Sequence, residues 1–511
     1  MQILLVNANL KADLLAAPPI GVCYVASAAE RAGHTVKVLD LCFAGRKSLG
    51  RLTRTVQEFS PDVIGVSIRN IDNCNLLYPV SYLPPVQAMV ETIRRNSCAP
   101  LVLGGSGVSL MPEAVLRRLQ ADFVVVGEGE KTLVSLLECL QAGGNPATIR
   151  GVGMMKEGRF HLVPAQYDAM SQESPDLGRW IDTAPYHRLG GSYNVQTKRG
   201  CTRHCIYCAY NRALEGSEPR LRRPVDVVDE IEEALARYHP PGFEFVDSVF
   251  NSPLDHSRAV LEEIVRRPWR TELTAMGVHP EGLDREYLDL MWKAGFRSFM
   301  ITPESASDAM LWNYRKGFTR DTVIRAAEAV KQTRFAAWWF FMIGGPGENM
   351  ETLCESLDFV RQHMGTGTAV QIACLFLGVR IYPSTGLWRT AVAENRIREN
   401  ADPLQGLWYL SNSLDLDEAI RRIYEAAAVS PSLYLGLDED ILKISRLVAF
   451  ACRMLRAKRP YWRYFPLRNA LAMKSGLRLA PRPSDMADQI RSALRRQHEE
   501  RASSTLRRPE L

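Results

Sequence analysis

The sequence lacks the marks of a membrane-spanning or secreted protein. No run of about 18 apolar residues occurs, so no transmembrane helix is expected. The first residues, Met1 to Asn7, have neither the charged start nor the cleavage site of a signal peptide, and they are typical of a strand. Of the 11 cysteines, eight stand singly along the chain, and this scatter excludes a disulfide framework.

Length and charge limit the possible architectures. At 511 residues the chain is too long for one ordinary core, so two or three domains are expected. Its composition, 46% hydrophobic and 23% charged, is that of a globular protein. The net charge of +6 comes from the tail, because residues 453–511 contain 15 Lys and Arg against 5 Asp and Glu. The overall charge therefore carries no information about the charge of a substrate.

Short apolar strands alternate with helical segments over residues 1–145, which predicts a parallel sheet covered on both faces. Ligands of such sheets lie beyond the carboxyl ends of the strands. No glycines there form the GxGxxG motif of a dinucleotide site, so nicotinamide binding is poorly supported. The candidate ligand-binding residues at these strand ends are Asn7, Ser67, Arg69, Asn70, Gly104, Gly105, Gly127 and Glu128.

Three cysteines, Cys201, Cys205 and Cys208, stand in a CxxxCxxC spacing with Tyr207 before the last. Three thiolates on one short loop can hold three irons of a cubane iron–sulfur cluster and leave the fourth iron open for chemistry. The next cysteine along the chain lies about 150 residues away, whereas a structural metal site requires four ligands. The alternatives are a zinc site completed by His204, or three unrelated buried thiols.

This motif resembles the signature of the radical S-adenosylmethionine (SAM) enzymes. In that family the open iron chelates the amino and carboxylate groups of SAM, and the aromatic residue, here Tyr207, lies against the adenine. The resemblance implies a 4Fe–4S cluster held by the three cysteines. Because such a cluster is sensitive to oxygen and needs a reducing compartment, we expect the protein to be cytoplasmic.

Strands and helices continue to alternate to about residue 390, which predicts a partial (β/α)6 barrel with polar groups at the strand ends. Three strand ends resemble SAM-binding motifs of the family. The resemblance implies that the Glu304 carboxylate accepts hydrogen bonds from the ribose hydroxyls, and that Arg315 or Lys316 binds the SAM carboxylate. For Glu304 a helix cap is the alternative. The SAM-binding residues implied are Tyr207, Asp247, Asn251, Glu304, Ser305, Lys316, Gly344 and Gly345.

The first 145 residues resemble the cobalamin-binding domain that precedes the radical SAM core in one large subfamily. The similarity lies in residues 18–40, in the GGSG turn at 104–107 and in VVGEGEKTL at 125–133. The turn departs from the bulkier GGPH of relatives, and the DxHxxG motif that supplies a histidine ligand to cobalt is absent, as is usual in this subfamily. The resemblance implies that the strand-end residues named above bind cobalamin. A domain that has lost its ligand is the alternative.

Beyond residue 400 we expect no further strands, but helices at 416–427, 438–455 and 483–497. Residues 456–478 interleave basic and aromatic side chains, which is compatible with contact at a membrane surface. The plainer interpretation is a packed helix with a solvated basic face. Without an RNA-binding module, a nucleic-acid partner is not expected.

The expected fold class is α/β, with a doubly wound Rossmann-like domain ahead of the barrel. The predicted divisions are a cobalamin-binding domain (1–145), a linker (146–191), a radical SAM barrel (192–395), a helical region (396–497) and a disordered tail (498–511).

The resemblance implies reductive cleavage of SAM to a 5′-deoxyadenosyl radical and methylation of an unactivated carbon in a small-molecule or lipid-like intermediate. A flavodoxin or ferredoxin would supply the electron. The alternatives are a radical cyclisation, rearrangement or ring modification, or a non-catalytic iron–sulfur or zinc module. No residue is assigned a catalytic role from the sequence.

If the three cysteines hold one cluster together, each of Cys201→Ala, Cys205→Ala and Cys208→Ala loses the cluster and all SAM cleavage, because each thiolate ligates a different iron. The measurement is visible absorption after anaerobic reconstitution, followed by assay of 5′-deoxyadenosine with and without dithionite. Full activity in any one variant contradicts the assignment.

Overall fold

The computed structural model describes residues 1–10, 16–210, 214–436, 439–474 and 483–503. The chain divides into two compact units. The first comprises Met1–Asn73, Val80–Cys201 and Ala209–Phe243, and the second comprises Cys74–Pro79, Thr202–Cys208 and Glu244–Leu511.

The first unit is built on a seven-stranded sheet with the order β2-β1-β3-β4-β5-β6-β7. The strands are β1 (Gln2–Asn7), β2 (Thr35–Asp40), β3 (Val63–Ser67), β4 (Leu101–Gly104), β5 (Phe123–Val125), β6 (Val152–Lys156) and β7 (Arg159–Leu162). The helices among them are α1 (Ile20–Arg31), α2 (Ser48–Phe59), α3 (Leu83–Asn96), α4 (Ser106–Leu110), α5 (Pro112–Leu119) and α6 (Gly129–Gln141), followed by α7 (Leu177–Trp180) and α8 (Ala184–Arg188).

Strands β1 to β5 pair in parallel, and their register aligns the predicted ligand-binding residues. Asn7 is the partner of Ser67, and Ser67 is the partner of Gly104. Apolar side chains of these strands, such as Ile3, Val63 and Val102, are fully or almost fully buried. Because neighbouring strands run in the same direction, their carboxyl ends meet at one edge of the sheet, where α/β proteins bind ligands.

A second seven-stranded sheet has the order β18-β15-β14-β13-β12-β11-β8, and its pairs from β12 to β18 are parallel. The remaining strands are β8 (Tyr193–Val195), β9 (Lys198–Arg199), β10 (Arg220–Leu221), β11 (Phe243–Phe245), β12 (Leu273–Val278), β13 (Phe296–Glu304), β14 (Ala336–Ile343), β15 (Val370–Leu377), β16 (Val379–Arg380), β17 (Trp408–Tyr409) and β18 (Leu433–Leu435). The helices are α9 (Pro224–Tyr238), α10 (Leu254–Arg266), α11 (Arg285–Ala294), α12 (Asp308–Asn313), α13 (Arg320–Lys331), α14 (Met350–His363), α15 (Gly386–Ala393), α16 (Leu416–Val429), α17 (Glu439–Met454), α18 (Phe465–Lys474) and α19 (Pro483–Ser503). The predicted α/β class is confirmed.

Strand β14 has two distinct faces. Trp339 and Phe341 pack against Phe359 of helix α14, with ring centroids 5.7 and 5.9 Å apart. Trp338 and Phe340 alternate with them and stack on each other at 5.4 Å. Since successive side chains of a strand point to opposite faces, β14 is covered by a helix on one face and presents Trp338 and Phe340 on the other.

Two predictions about individual segments are wrong. Strands do occur beyond residue 400: β17 pairs with β16, and β18 extends the second sheet next to β15. They have two and three residues, too few to show a period-two pattern. Helix α19 continues to Ser503, so the first six residues of the tail predicted as disordered are helical. Residues 504–511 lie outside the described part of the chain.

The basic and aromatic stretch 456–478 is described up to residue 474. Its aromatic residues Tyr461, Trp462 and Phe465 are buried. Trp462 and Phe465 pack against Trp338 of β14, with ring centroids 5.2 and 6.2 Å away. The interpretation as a packed segment is therefore confirmed for these aromatic side chains. None of the helices described is long and apolar enough to cross a membrane.

Candidate functional site

The half-buried Tyr207 and the buried Glu304 and Lys316 meet in one group of hydrogen bonds in the second unit. The Tyr207 hydroxyl donates to Glu304 Oε1 at 3.1 Å, and Lys316 Nζ donates to the same hydroxyl at 3.1 Å. Lys316 Nζ also lies 3.6 Å from Glu304 Oε1 and donates to the carbonyl of Thr302 at 2.9 Å. The residue before the last predicted cluster cysteine is thereby linked to the end of strand β13.

The backbone at Glu304 is unusual for a residue with a side chain. Glu304 has φ of 69°, in the left-handed region that is costly for residues other than glycine. The pairing of β13 with β14 shifts register between Ile301 and Glu304, so the strand bulges just before its end. Bulges and left-handed residues of this kind concentrate at functional sites, where they aim a side chain. Here they aim a carboxylate at Tyr207 and Lys316.

Burial keeps the phenol of Tyr207 protonated. Desolvation raises the pKa of Tyr207 well above its usual value, and the neighbouring Cys205 and Glu304 add to the effect. Tyr207 therefore remains a hydrogen-bond donor to the Glu304 carboxylate. Of the two basic residues that the sequence left as alternatives, Lys316 is 2% exposed and contacts Glu304, whereas Arg315 is exposed.

Asn251 holds the backbone that follows strand β12. Its amide donates to the carbonyls of His279 at 3.0 Å and Glu281 at 2.8 Å, and its oxygen accepts from the His279 N–H at 2.8 Å. The side chain is thus engaged within the protein, and its contribution to SAM binding stays a prediction. Asp247 lies nearby along the chain and is buried.

His279 was missed by the sequence reasoning. Its imidazole is 3% exposed, packs edge-on against Phe318 at 5.4 Å, and its Nδ1 has no hydrogen-bond partner. Burial, with Lys316 and Arg203 nearby, lowers the pKa of His279 well below its ordinary value, so the ring is neutral. A buried polar atom without a partner at a strand end is a position where a ligand can bond. No motif marks this histidine, and only its burial identifies it.

Arg203, inside the cysteine loop, was also missed. It pairs with Glu281 and donates to the carbonyl of Lys316 at 3.3 Å. Two cations, Arg203 and Lys316, therefore lie among the strand ends of the second unit. They suit a ligand with a carboxylate, as SAM has, because arginine and lysine both bind carboxylates through charge-assisted hydrogen bonds.

The glycine-rich turn after β14 packs closely on the same region. A Cβ at Gly345 would lie 2.3 Å from the Tyr314 ring, so no other residue fits there without movement. Glu348 accepts from the Gly344 N–H at 3.1 Å and from Thr352 Oγ1 at 2.9 Å. Burial raises the pKa of Glu348 to about 7.

Ser305 is fully buried, and its hydroxyl oxygen lies 3.2 Å from the hydroxyl oxygen of Ser356, which is a structural contact.

The three predicted cluster cysteines are all half-buried. Among the described residues, no group of three or more His, Cys, Asp or Glu side chains is arranged around a single metal ion. A zinc site completed by His204 is therefore not formed in that part of the chain. A cubane cluster differs, because each thiolate binds a different iron and the sulfurs stand farther apart than around one ion. The thiol donor set fits an iron–sulfur cluster, and the assignment of the three cysteines stays a prediction.

At the sheet edge of the first unit, the predicted cobalamin-binding residues differ in how they are engaged. Asn7 is buried and donates to Asp40 at 2.9 Å. Arg69 and Asn70 are exposed just beyond β3, and Ser67 is half-buried. Gly105 has φ of 96°, and a Cβ there would lie 2.7 Å from the Ile68 carbonyl, so only glycine suits this close turn. The exposed residues around β3 and the small residues after β4 fit a flat macrocycle lying against the backbone.

Glu128 and Glu130 of the VVGEGEKTL segment form ion pairs within the first unit. Glu128 pairs with Arg220 and lies 3.3 Å from Arg199, while Arg199 donates to Glu130 at 2.6 Å. Gly127 lies next to Tyr167, because a Cβ there would be 3.3 Å from its ring. These contacts give Gly127 and Glu128 a role in the packing of the first unit. Their direct role in cobalamin binding stays a prediction. Arg199 and Arg220 were not singled out from the sequence.

Replacing Glu304 by glutamine tests the predicted ribose contact. Glu304→Gln removes the charge but keeps the shape, so SAM binding should weaken by about 1–3 kcal/mol, as expected for a lost charge-assisted hydrogen bond. Anaerobic calorimetric titration measures the affinity, and the visible spectrum of the cluster should not change. The control is Glu328→Gln, which removes a carboxylate bonded to His363 away from the strand ends. Equal SAM affinity in the wild type and Glu304→Gln would refute the role.

The exposed Arg69 gives a spectroscopic prediction for cobalamin. A guanidinium has no free lone pair at neutral pH, so Arg69 cannot coordinate cobalt. No histidine stands in a DxHxxG context either. We therefore expect a cobalt without a protein nitrogen ligand, with Arg69 or Asn70 beneath the corrin ring. Electron paramagnetic resonance of the Co(II) form should show no nitrogen superhyperfine splitting. Such splitting refutes the prediction for the lower face, and failure to retain any corrinoid refutes the domain assignment.

Two known protein families match the chain. The Radical SAM superfamily matches residues 195–360, and the B12 binding domain matches residues 6–137. A tryptophan 2-C-methyltransferase from Streptomyces laurentii is 25% identical over 72% of this chain and 71% of its own length. An anaerobic magnesium-protoporphyrin IX monomethyl ester cyclase from Rubrivivax gelatinosus is 24% identical over 67% of this chain and 62% of its own length.

Among solved structures, the methyltransferase TsrM from Kitasatospora setae, with tryptophan and a SAM analogue bound, superposes with a TM-score of 0.80 at 23% identity. The match covers 93% of this chain and 99% of that protein, and it establishes the likeness of fold. The cofactors of the chain are a 4Fe–4S cluster, SAM and cobalamin. The chain thus belongs to the cobalamin-dependent radical SAM enzymes, in the subfamily of the methyltransferase type.

Proposed function

We propose that the enzyme methylates an unactivated carbon of an apolar small molecule. The observation that carries the substrate class is the apolar face of β14 opposite helix α14. On this face Trp338 stacks on Phe340, and Phe340 stacks on Phe376 of β15 at 6.1 Å. We call these three rings, together with Met342 on the same face of β14, the apolar wall.

Trp462 and Phe465 cover the wall at Trp338, and the rest of it is incompletely covered by protein. Phe340, Met342 and Phe376 are half-buried, whereas the residues that alternate with them on β14, Trp339 and Phe341, are fully buried. Half-buried apolar residues in the middle of a sheet border a space that side chains do not fill. An apolar ligand gains most in such a space, at about 25 cal/mol for each Å² removed from water.

The wall leads toward the group formed by Tyr207, Glu304 and Lys316. Met342, the next wall residue after Phe340, packs with Tyr207 against the same cluster of buried side chains. The carbonyl of Met342 accepts from the Tyr314 hydroxyl at 3.0 Å. A substrate lying on the wall would therefore have one end near the residues proposed to hold SAM. Holding two reactants side by side is the main contribution a protein makes when cofactors carry the difficult step.

The residues of the chain are assigned complementary tasks in this proposal. Glu304 binds the ribose hydroxyls, and Lys316, with Arg203, binds the carboxylate of SAM. The aromatic wall positions the substrate carbon and excludes water. When bound, the cofactors supply hydrogen abstraction from an unactivated carbon and the methyl group. An external protein of the flavodoxin or ferredoxin type is proposed as the electron donor.

Radical ring closure without methyl transfer is the second candidate. It is favoured by the similarity to the protoporphyrin ester cyclase, whose name describes ring formation. The two reactions differ in what happens to SAM. Methyl transfer yields S-adenosylhomocysteine together with 5′-deoxyadenosine, whereas ring closure yields no S-adenosylhomocysteine.

The test is anaerobic turnover with dithionite and with SAM labelled in its methyl group. The substrate is supplied as an organic extract of cells of the source organism. We expect label in a product that partitions into organic solvent, with S-adenosylhomocysteine and 5′-deoxyadenosine formed alongside it. Production of 5′-deoxyadenosine without S-adenosylhomocysteine would favour ring closure. A labelled product confined to the aqueous phase contradicts the apolar substrate.

The wall itself is tested at Phe340. Phe340→Gln should raise the KM for the labelled substrate about tenfold or more, because a polar side chain replaces a large apolar contact. Phe340→Leu keeps an apolar surface and serves as the matched control, with a much smaller change. The affinity for SAM should be the same in both variants. A KM unchanged in Phe340→Gln removes the wall from the substrate site.

A further inference from the structure

The C-terminal helices expose apolar side chains that a helix in water normally buries. On α17, Leu447, Phe450 and Met454 follow one another at the spacing of one helix face and are 70%, 57% and 67% exposed. Leu455, just after the helix, is 80% exposed. Among residues 447–454, the part of α17 whose burial is described, the buried residues are the small Ala449 and Cys452. In this part of the helix the larger side chains Leu447, Phe450 and Met454 face outward, which reverses the usual pattern.

Helix α18 repeats the arrangement. Leu467 and Leu471, one turn apart, are 61% and 60% exposed, and Lys474 follows on the same face. Between the two helices, Tyr461 and Trp462 are buried, and Trp462 is held against Trp338. The exposed residues are therefore carried on a segment anchored by buried aromatic rings. We call Leu447, Phe450, Met454, Leu455, Leu467 and Leu471, with the basic residues among them, the basic apolar face.

Charge on this segment has only one sign. Between Asp440 and Asp485 the sequence contains 11 Lys and Arg and no Asp or Glu. Arg453, Arg456, Lys458 and Lys474 are exposed among the apolar residues. This surface combines exposed apolar side chains with positive charges and no negative charge. It matches a partner that has a negatively charged surface layer and an apolar layer directly below it.

We propose that the basic apolar face binds the surface of an anionic lipid bilayer. The apolar side chains enter the boundary between head groups and acyl chains, and the cations lie at the level of the lipid phosphates. A second copy of this chain would bring the same positive charges together and repel. A protein partner presents both signs of charge, whereas an anionic leaflet presents one sign over its whole area. The contact residues are the exposed apolar side chains of this face, and the buried aromatic residues Tyr461, Trp462 and Phe465 serve as the anchor.

The experiment uses the full-length protein and needs neither cofactors nor turnover, so its outcome is independent of the proposed methyl transfer. The protein is sedimented with vesicles of phosphatidylcholine alone and with vesicles of equal parts phosphatidylcholine and phosphatidylglycerol. We expect at least about tenfold stronger binding to the anionic vesicles, because each cation near a negative surface adds to the affinity. Added salt should weaken the binding, since it screens exposed charges.

Two double variants separate the apolar and the charged contributions. Phe450→Ser with Leu455→Ser, and Arg456→Glu with Lys458→Glu, should each reduce binding to the anionic vesicles about tenfold or more. The controls are Val429→Ser, which removes an apolar side chain 75% exposed on α16, and Arg361→Glu, which reverses a charge 68% exposed on α14. Both controls should bind as the wild type does, and thermal unfolding verifies that every variant is folded.

Four results would overturn the proposal. One is that the anionic vesicles do not retain the wild type, and another is that both kinds of vesicle bind it equally. The third is that both double variants, folded, bind as the wild type does. The fourth is a dimer in analytical ultracentrifugation that the double variants dissociate, in which case a second copy covers the face.

Discussion

The contact among Glu304, Tyr207 and Lys316 is the constraint on which the candidate site of the second unit depends. A buried carboxylate and a buried ammonium are each costly to remove from water, and they are tolerated only when paired and hydrogen-bonded. Here the tyrosine hydroxyl and the Thr302 carbonyl complete the pairing. Loss of Glu304 or of Lys316 would leave the charge of the other uncompensated in the interior. The arrangement therefore fixes the cysteine loop at Tyr207 relative to the end of β13.

Both sheets place the polar groups that suit ligands at the ends of their strands. Parallel strands are buried on both faces, so their sequences are mostly apolar, and polar groups within them need partners inside the protein, as Gln371 has in Trp339. Polar groups that are available to a ligand lie where the strands end. In the first unit the aligned ends are Asn7, Ser67 and Gly104, and in the second they include Glu304 and Gly344. The register of the strands, and not their individual sequences, gathers these groups at one edge.

Within the second unit, the polar and the apolar surfaces suit different ligands. The strand ends carry the carboxylate and the cations that suit SAM, while the face of β14 opposite α14 carries aromatic and thioether side chains that suit an apolar substrate. Farther along the chain, Trp462 packs on Trp338, and Leu447 of α17 and Leu467 and Leu471 of α18 are exposed. An enzyme whose substrate is apolar gains from a surface that binds a bilayer, because such substrates collect there.

The sequence alone determined what depends on residues close together in the chain. The cysteine spacing, the alternation of strands and helices, and the Glu304-Ser305 pair at a strand end are local patterns, and they were enough to predict the α/β class, the family and the cofactors. The tertiary structure decided what depends on burial and on contacts between distant residues. Arg315 and Lys316 are adjacent and equally basic, but only Lys316 is buried against Glu304. His279 and Arg203 gain their significance from neighbours far along the chain, and β18 from its pairing with β15. The spacing of Leu447, Phe450 and Met454 is that of any amphipathic helix, and which side of such a helix faces water is set by the packing of the whole fold.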